Sequence, residues 1–291
     1  MSSPVKFSVK ASHHQERLQN FLKDQLKEHS GKSIKKMIDN YACKVNGKVE
    51  VFSSRKVMTG DQIEISLAEQ EKKSNPNMAV IFENENYYIC NKGPNTPCED
   101  ELIQNLLKNK RAKLVHRLDK DTTGLLIVAK DSSSQKAFEE IFRKKEIQKT
   151  YLAISQGVSK KRFFSVNNLL KRKVAYQGQS IWGRTEDKEG LLSTTHFEVL
   201  EISNQYTLFS CQPITGRTHQ IRVHLCEAGF PILGDMHYGR EAVFTYKAPR
   251  VLLHAVDLKF QDPFTNQMMH FKAPTPPDFN KAKKLLFKSC M

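Results

Sequence analysis

The chain has 291 residues, 39% of them hydrophobic, which suffices to bury one large core or a large and a small one and excludes a chain disordered throughout. Its 46 lysines and arginines against 31 aspartates and glutamates leave a net charge of +15. That excess points to a polyanionic partner, nucleic acid first, because basic surfaces bind phosphate backbones with release of condensed counterions. The charge divides as +5 over residues 1–78 and +10 over residues 79–291, so it is not a basic tail. Six cysteines without C-x-x-C spacing, no charged-then-apolar leader and no apolar run near the roughly 20 residues that cross a bilayer lead us to expect reduced thiols, a cytoplasmic location and no membrane contact. A monomer is the default expectation.

From Gln15 to Leu67 the pattern reads as a small α/β unit. Leu18, Phe21, Leu22 and Leu26 fall at helical spacing, and Ser33 would cap a second short helix carrying Ile34, Met37 and Ile38. Val45-Asn46-Gly47-Lys48-Val49 holds the Asn-Gly pair that favours a tight hairpin, and Gly60-Asp61 precedes an alternating Ile63, Ile65 and Leu67. This order of elements resembles the S-four-like RNA-binding module of a small-subunit ribosomal protein. The resemblance implies that the second helix presents cations to RNA, here Lys32, Lys35 and Lys36 where arginine is frequent. Tyr41 and Cys43 depart from the Gly and Val usual before Val-Asn-Gly. A solvated helix face is the plain alternative for the lysines.

Residues 68–78 have no periodicity and read as a linker. Residues 79–291 read as one domain of α+β class, dominated by a mixed, mostly antiparallel sheet with flanking helices. Strands are expected at Val80–Phe82, Tyr87–Cys90, Leu125–Val128, Tyr151–Ile154, His196–Leu200, Tyr206–Cys211 and Val256–Phe260. Helices are expected at Gln135–Lys145, with a Ser132/Gln135 capping box, and at His219–Ala228, ending before Gly229. A short helix follows Pro276.

Two dense polar blocks carry the chemistry. The first, His116-Arg117-Leu118-Asp119-Lys120-Asp121-Thr122-Thr123-Gly124, runs into the apolar Leu125 to Ala129, which puts Asp119 in a tight turn at the mouth of a buried strand. The second, Thr215-Gly216-Arg217-Thr218-His219-Gln220-Ile221-Arg222-Val223-His224, supplies cations that would keep a carboxylate ionised. A kinase catalytic loop is excluded by the inverted order of Leu and Asp and by the lack of a Gly-rich phosphate loop and an Asp-Phe-Gly site. Asp119 and Asp121 are too close in sequence for the carboxyl separations of glycoside hydrolysis. No metal is expected: His219 and His224 are five apart, no His-Glu-x-x-His occurs, and the cysteines add no tetrahedral set.

The chain resembles the pseudouridine synthases of the large-subunit ribosomal RNA type, whose signature is His-Arg-Leu-Asp followed by a Thr/Ser-Gly turn. The likeness continues through Lys149-Thr150-Tyr151-Leu152-Ala153, Pro213 to His224, Pro231-Ile232-Leu233-Gly234-Asp235, Leu253-His254-Ala255 and Phe271-Lys272-Ala273-Pro274. It departs at Asn91-Lys92-Gly93-Pro94, where Asn-Lys-Pro and a Gly-containing loop are usual. The resemblance implies isomerisation of uridine without a cofactor. Asp119 would be the essential carboxylate, Arg222 its cation, and Tyr151 the ring that stacks on the uracil and assists proton removal from its carbon five. His116 and Arg117 would contact RNA, Arg217 a phosphate or the surroundings of the site, and Leu253 and His254 would complete the pocket or serve packing. Large-subunit ribosomal RNA is the preferred substrate on this resemblance, with transfer RNA as the runner-up. A non-catalytic RNA-binding or ribosome-assembly protein is the alternative of another class.

Overall fold

A computed structural model describes residues 4–39, 42–50, 52–67, 77–176, 179–239, 244 and 246–287, with side chains left aside at 174–180. Tyr41, Cys290 and the stretch expected as a linker, apart from Asn77 and Met78, lie outside these residues. The chain divides into two compact units, residues 1–72 with 172–181, and residues 73–171 with 182–291.

In the first unit, β1 (Val5–Ser8), α1 (Leu18–Gln25), α2 (Gly31–Asp39), β2 (Cys43–Val45), β3 (Lys48–Glu50) and β4 (Gln62–Ile65) follow in chain order. The strands pair as β1-β4-β2-β3. The apolar faces read from the sequence meet in one core: Leu18, Phe21 and Leu22 from α1, Ile34 and Ile38 from α2, and Cys43, Val45, Ile63 and Ile65 from the sheet. Asn46 and Gly47 both take positive φ, 53° and 78°, as a tight hairpin requires, and Asn46 donates to Asp61 and accepts from the Gln62 N–H. The cap of α2 is one turn earlier than expected. Ser30 Oγ accepts from the Ser33 N–H, so Ser33 is inside the helix rather than at its start. β1 lies before the expected beginning of the unit, pairing Val5–Ser8 with Gln62–Ile65.

From Met78 onward the order is β5 (Met78–Glu83), β6 (Tyr87–Lys92), α3 (Asp100–Leu107), β7 (Lys113–Leu114), β8 (Thr123–Ala129), α4 (Ser132–Arg143), β9 (Gln148–Gln156), β10 (Phe163–Tyr176), β11 (Gln179–Thr185), β12 (Leu191–Ile202), β13 (Tyr206–Pro213), α5 (Gln220–Glu227), β14 (Leu253–Gln261), β15 (Met268–Lys272) and α6 (Pro277–Leu286). The strands form one sheet in the order β11-β10-β12-β13-β9-β14-β8-β6-β5, with β15 on β14 and β7 on β8. From β10 with β12 onward its pairings are antiparallel except β8 with β14. The fold is α+β.

The sheet's middle positions the site. β8 is buried along its whole length and runs parallel to β14, with Thr123 opposite His254 and Gly124 opposite Ala255. Gly124 has φ +109°, and a Cβ there would run into the Ala255 backbone, so only glycine lets the two strands approach. Asp131 caps α4 by accepting from the Ser134 N–H, replacing the expected Ser132/Gln135 box; the Gln135 amide instead donates to the Leu114 carbonyl. α5 is buried nearly all round, from Gln220 to Leu225, which makes it an embedded helix rather than a surface one. No disulfide joins the described cysteines, and no helix among the described residues is long and apolar enough to cross a membrane.

Candidate active site

Both polar blocks open into one cleft of about 570 Å³, within the range of pockets that hold a small organic group. Asp119, Tyr151, Arg217, His219, Arg222 and Leu253 line it. Asp119 belongs to the turn that enters β8, where its carbonyl accepts from the Thr122 N–H. That turn is gripped from beneath by two buried cations. Lys92 Nζ donates to the carbonyls of Gly93, Thr96 and Lys120, and Arg250 Nη1 donates to those of Asp121 and Val251 while Asp278 holds its other edge in a bidentate pair. Full burial depresses Lys92 to about 8, and its three carbonyl partners account for the donors an ammonium offers.

Arg222, 5% exposed, reaches Asp119 from α5: Nη1 donates to Oδ2 at 2.9 Å. Its remaining edge is taken by Asp235, which is 1% exposed and accepts from Nε at 2.7 Å and Nη2 at 2.9 Å. Asp235 also accepts from the N–H groups of His237 and Tyr238, so its position is fixed from two sides. With Asp235 occupying the guanidinium fork, Asp119 receives a single donor and keeps Oδ1 toward the cleft. The trio carries one net negative charge.

Burial by itself raises the Asp119 carboxyl, but His219 and Arg222 outweigh it and hold it below the ordinary value. His219 contributes only as an imidazolium, and burial pushes that ring down to about 4. At neutral pH, therefore, the guanidinium does the lowering. Burial likewise works against the ionised forms of Asp235 and Arg222, and the ion pair overrides it in both, keeping the carboxyl low and the guanidinium charged.

Tyr151, on β9 between Cys211 of β13 and Ala255 of β14, presents a mostly buried ring to the cleft. Burial first, and the Asp119 charge second, raise its hydroxyl, so it remains protonated at neutral pH. Arg117 and Arg217 are exposed at the rim; Arg217 Nε donates to the Leu192 carbonyl and makes no bond to Asp119. His116 lines the wall against Phe142, but its Nε2 accepts from the Ile127 N–H, leaving only Nδ1 for a ligand; burial pushes the ring down to about 3, so it is neutral. His254 is not at the cleft. It is fully buried, bonded to Thr123 Oγ1 and the Ala273 carbonyl, and ties β14 to β8. Lys32, Lys35 and Lys36 sit on α2 of the first unit, and none has a salt-bridge partner among the described residues.

A model of the RNA pseudouridylate synthase family matches residues 77–227, and a model of the S4 domain matches residues 12–72. "Ribosomal large subunit pseudouridine synthase C" of Vibrio vulnificus (strain CMCP6) is 34% identical over 300 residues, covering 93% of each chain; the protein of that name from Salmonella typhi is 32% identical over 301 residues at the same coverage. The chain belongs to the RNA pseudouridylate synthase family. Among solved structures, "Human RNA Pseudouridylate Synthase Domain Containing 1" is similar with a TM-score of 0.58 at 25% identity, over 72% of this chain and 89% of that one. "Human RNA Pseudouridylate Synthase Domain Containing 4" shares the fold, with a TM-score of 0.59 at 24% identity over 70% and 91%.

Asp235 and Lys149, which no motif spacing marks as site residues, also stand at the cleft or against Arg222. Asp235 stands within a quoted motif, Pro231 to Asp235, and Gly234 before it has φ +79° and abuts the Arg250 carbonyl, a signal that this stretch is held for its backbone shape. Lys149 lines the cleft without a carboxylate partner among the described residues, over the Phe142 ring, and burial lowers it to about 8. Gln220 and His224 of the second block turn inward instead. Gln220 accepts from Thr215 Oγ1 and the Arg217 N–H, and His224 bonds Thr195, Ser193 and Asn168, which fastens α5 to the sheet.

Proposed function

We propose that this RNA pseudouridine synthase acts on large-subunit ribosomal RNA, with Asp119 as its essential carboxylate, Arg222 as the cation that keeps it ionised and Tyr151 as the stacking ring. The observation that carries the reading is the Asp119–Arg222 contact of 2.9 Å at the floor of a cleft that also holds Tyr151. The substrate class rests on the relatives' names and on the S4 domain. The synthase works in the cytoplasm as a monomer on this reading.

Conversion of uridine to pseudouridine breaks the N1–C1′ bond, turns the uracil and joins C5 to C1′. The proton on C5 leaves and N1 gains one, so neither water nor an electron is consumed. Asp119 promotes the break by adding to the ribose or by taking a ribose proton; both routes need the ionised form and a free oxygen, which Oδ1 supplies. The target base leaves its helix at a cost of a few kcal/mol, and stacking on Tyr151 offsets about 1–3 kcal/mol of it. Because the Tyr151 hydroxyl remains protonated, its ring rather than a phenolate does this work at neutral pH. Arg117, Arg217 and Lys149 hold phosphates around the mouth, and Lys32, Lys35 and Lys36 bind RNA from the S4 domain.

Pseudouridine mapping by carbodiimide-dependent reverse-transcription stops, in total RNA from cells carrying wild-type or Asp119→Asn protein, tests this. A large-subunit stop present with wild type and absent with the variant is expected. Identical maps would refute the reading, and a difference confined to transfer RNA would move the substrate there.

A further inference from the structure

Among the described residues, one oxygen of Asp119 has no hydrogen bond of its own. Oδ2 is held by Arg222, whereas Oδ1 faces His219 Nε2 across 3.8 Å, beyond direct hydrogen-bond reach. The tautomer of His219 follows from its other neighbour. Tyr238 Oη accepts from the Trp182 backbone N–H at 3.0 Å and lies 2.8 Å from His219 Nδ1. Among the described residues Nδ1 is the one acceptor within reach of the Tyr238 proton, so Tyr238 donates to it. The neutral ring's own proton is then on Nε2, facing Asp119. The ring is also fixed in place: His219 has φ 57°, an uncommon left-handed conformation for a non-glycine residue, and its ring meets that of Tyr238 edge-on at 5.6 Å.

A donor and an acceptor 3.8 Å apart are bridged by a single oxygen about 2.8 Å from each, provided that oxygen can both accept and donate. Few groups of a uridine within an RNA chain meet that condition. The uracil carbonyls only accept, N3–H only donates, and the 3′ and 5′ oxygens are esterified to phosphate. The 2′-hydroxyl does both, and it is bonded to C2′ next to C1′, the two carbons on which Asp119 would act.

We infer that the gap between His219 and Asp119 seats the ribose 2′-hydroxyl of the extruded uridine. His219 Nε2–H donates to the 2′-oxygen and the 2′-hydroxyl donates to Asp119 Oδ1. His219 thereby makes the synthase demand a ribonucleotide at the target position, and Tyr238 is a positioning residue that selects the tautomer. This inference rests on the assignment of Asp119 as the essential carboxylate.

The test is a cycle between enzyme and substrate. An oligonucleotide spanning a uridine identified by the mapping above is made with uridine or 2′-deoxyuridine at the target and RNA elsewhere. The ratio of kcat/KM on the two is measured for wild type, His219→Asn, Tyr238→Phe and Arg217→Ala. Asparagine tolerates the left-handed backbone but is too short to reach the gap. Loss of the hydroxyl alters the chemistry itself in every enzyme, so only the change in the ratio reports the contact. We expect the ratio to fall about 5- to 100-fold in His219→Asn, in line with a buried donor losing its acceptor, to fall by less in Tyr238→Phe, and to stay at the wild-type value in Arg217→Ala. An unchanged ratio in His219→Asn, or an equal fall in Arg217→Ala, would overturn the inference. Failure of wild type to convert the all-ribose oligonucleotide would instead sink the functional reading, and this one with it.

Discussion

Arg222 separates the two carboxylates it touches by what each is for. Asp235 fills the guanidinium fork in full burial, whereas Asp119, with 23% of its side chain exposed, takes one donor. Removing the Asp235 charge weakens two of the three carboxylate contacts of Arg222 and leaves that buried cation paired with Asp119 alone, a loss of about 1–3 kcal/mol or more. Removing the Asp119 charge leaves Arg222 still paired. Asp119→Asn is therefore expected to unfold within about 1 kcal/mol of wild type in a urea titration while losing all turnover, and Asp235→Asn to lose both. Equal stability losses would contradict this division. The pH dependence has two limbs. Asp119 is held below the ordinary carboxylate value, so kcat should be flat from about pH 5 to 7, the carboxylate being protonated only in stronger acid. Lys149, lowered to about 8, loses its charge as the pH rises through that value, so KM for RNA should rise between pH 7 and 9. In Lys149→Met, KM should start higher and stay level; a slope that survives the substitution would assign it to another group, with Lys92 the first to test because burial brings it to about 8 as well. Asp119 and Arg222 were legible in the sequence because each belongs to a dense polar block whose spacing carries the family likeness. Asp235 was not, since which carboxylate completes a guanidinium is decided by how α5 packs. For His254 the packing alternative read from the sequence is the one the structure shows, whereas the Ile127 N–H bond that occupies His116 Nε2 was not legible.

The turn that carries Asp119 depends on the elements around it. β8 and β14 pair in parallel at Thr123–His254 and Gly124–Ala255, and Lys92 and Arg250 tie the carbonyls of Lys120 and Asp121, the two residues after Asp119. In Gly124→Ala a methyl would be forced into the Ala255 backbone at a positive φ, combining overpacking with backbone strain, each costing about 1–3 kcal/mol. The variant is expected to lose at least about 3 kcal/mol in urea unfolding and to show little turnover; a loss under 1 kcal/mol would mean that the strands part without cost. The elements that alternate cleanly, such as Ile63 and Ile65 of β4, were readable, as was the amphipathic α4. The β10 strand was not. Its alternation fails at Asn168, which turns inward because its Oδ1 accepts from Ser193 Oγ and meets His224, contacts set by β12 and α5, far away in sequence. β1 was missed for a different reason: four residues near a chain end give too short a pattern to read, and only pairing with β4 makes them a strand. Caps slipped by a residue or a turn, to Ser30 and Asp131, because serine-rich stretches offer several oxygens and only helix packing selects one.

At the scale of the molecule, a net charge of +15 has to be reconciled with a site whose Asp119–Arg222–Asp235 trio is negative. The two act at different ranges. Asp119 and Arg222 sit at the cleft floor, with Arg222 and its partner Asp235 nearly solvent-free, while Arg117, Arg217, Lys32 and Lys36 are exposed and Lys35 is half-exposed, where phosphates can reach them. Binding should follow the exposed cations, and chemistry the buried trio. Affinity for RNA is then dominated by counterion release, and a protein neutralising about six phosphates loses roughly a thousandfold in affinity between 50 and 200 mM salt. Asp119→Asn changes no phosphate contact, so a plot of log affinity against log salt, measured by filter binding to the ribosomal RNA fragment that contains the target, should keep the wild-type slope. A combined Lys32→Ala, Lys35→Ala and Lys36→Ala variant should lower that slope by about two to three and leave kcat on saturating RNA unchanged. A shallower slope in Asp119→Asn, or an unaltered one in the triple variant, would show that the division between grip and chemistry is drawn in the wrong place.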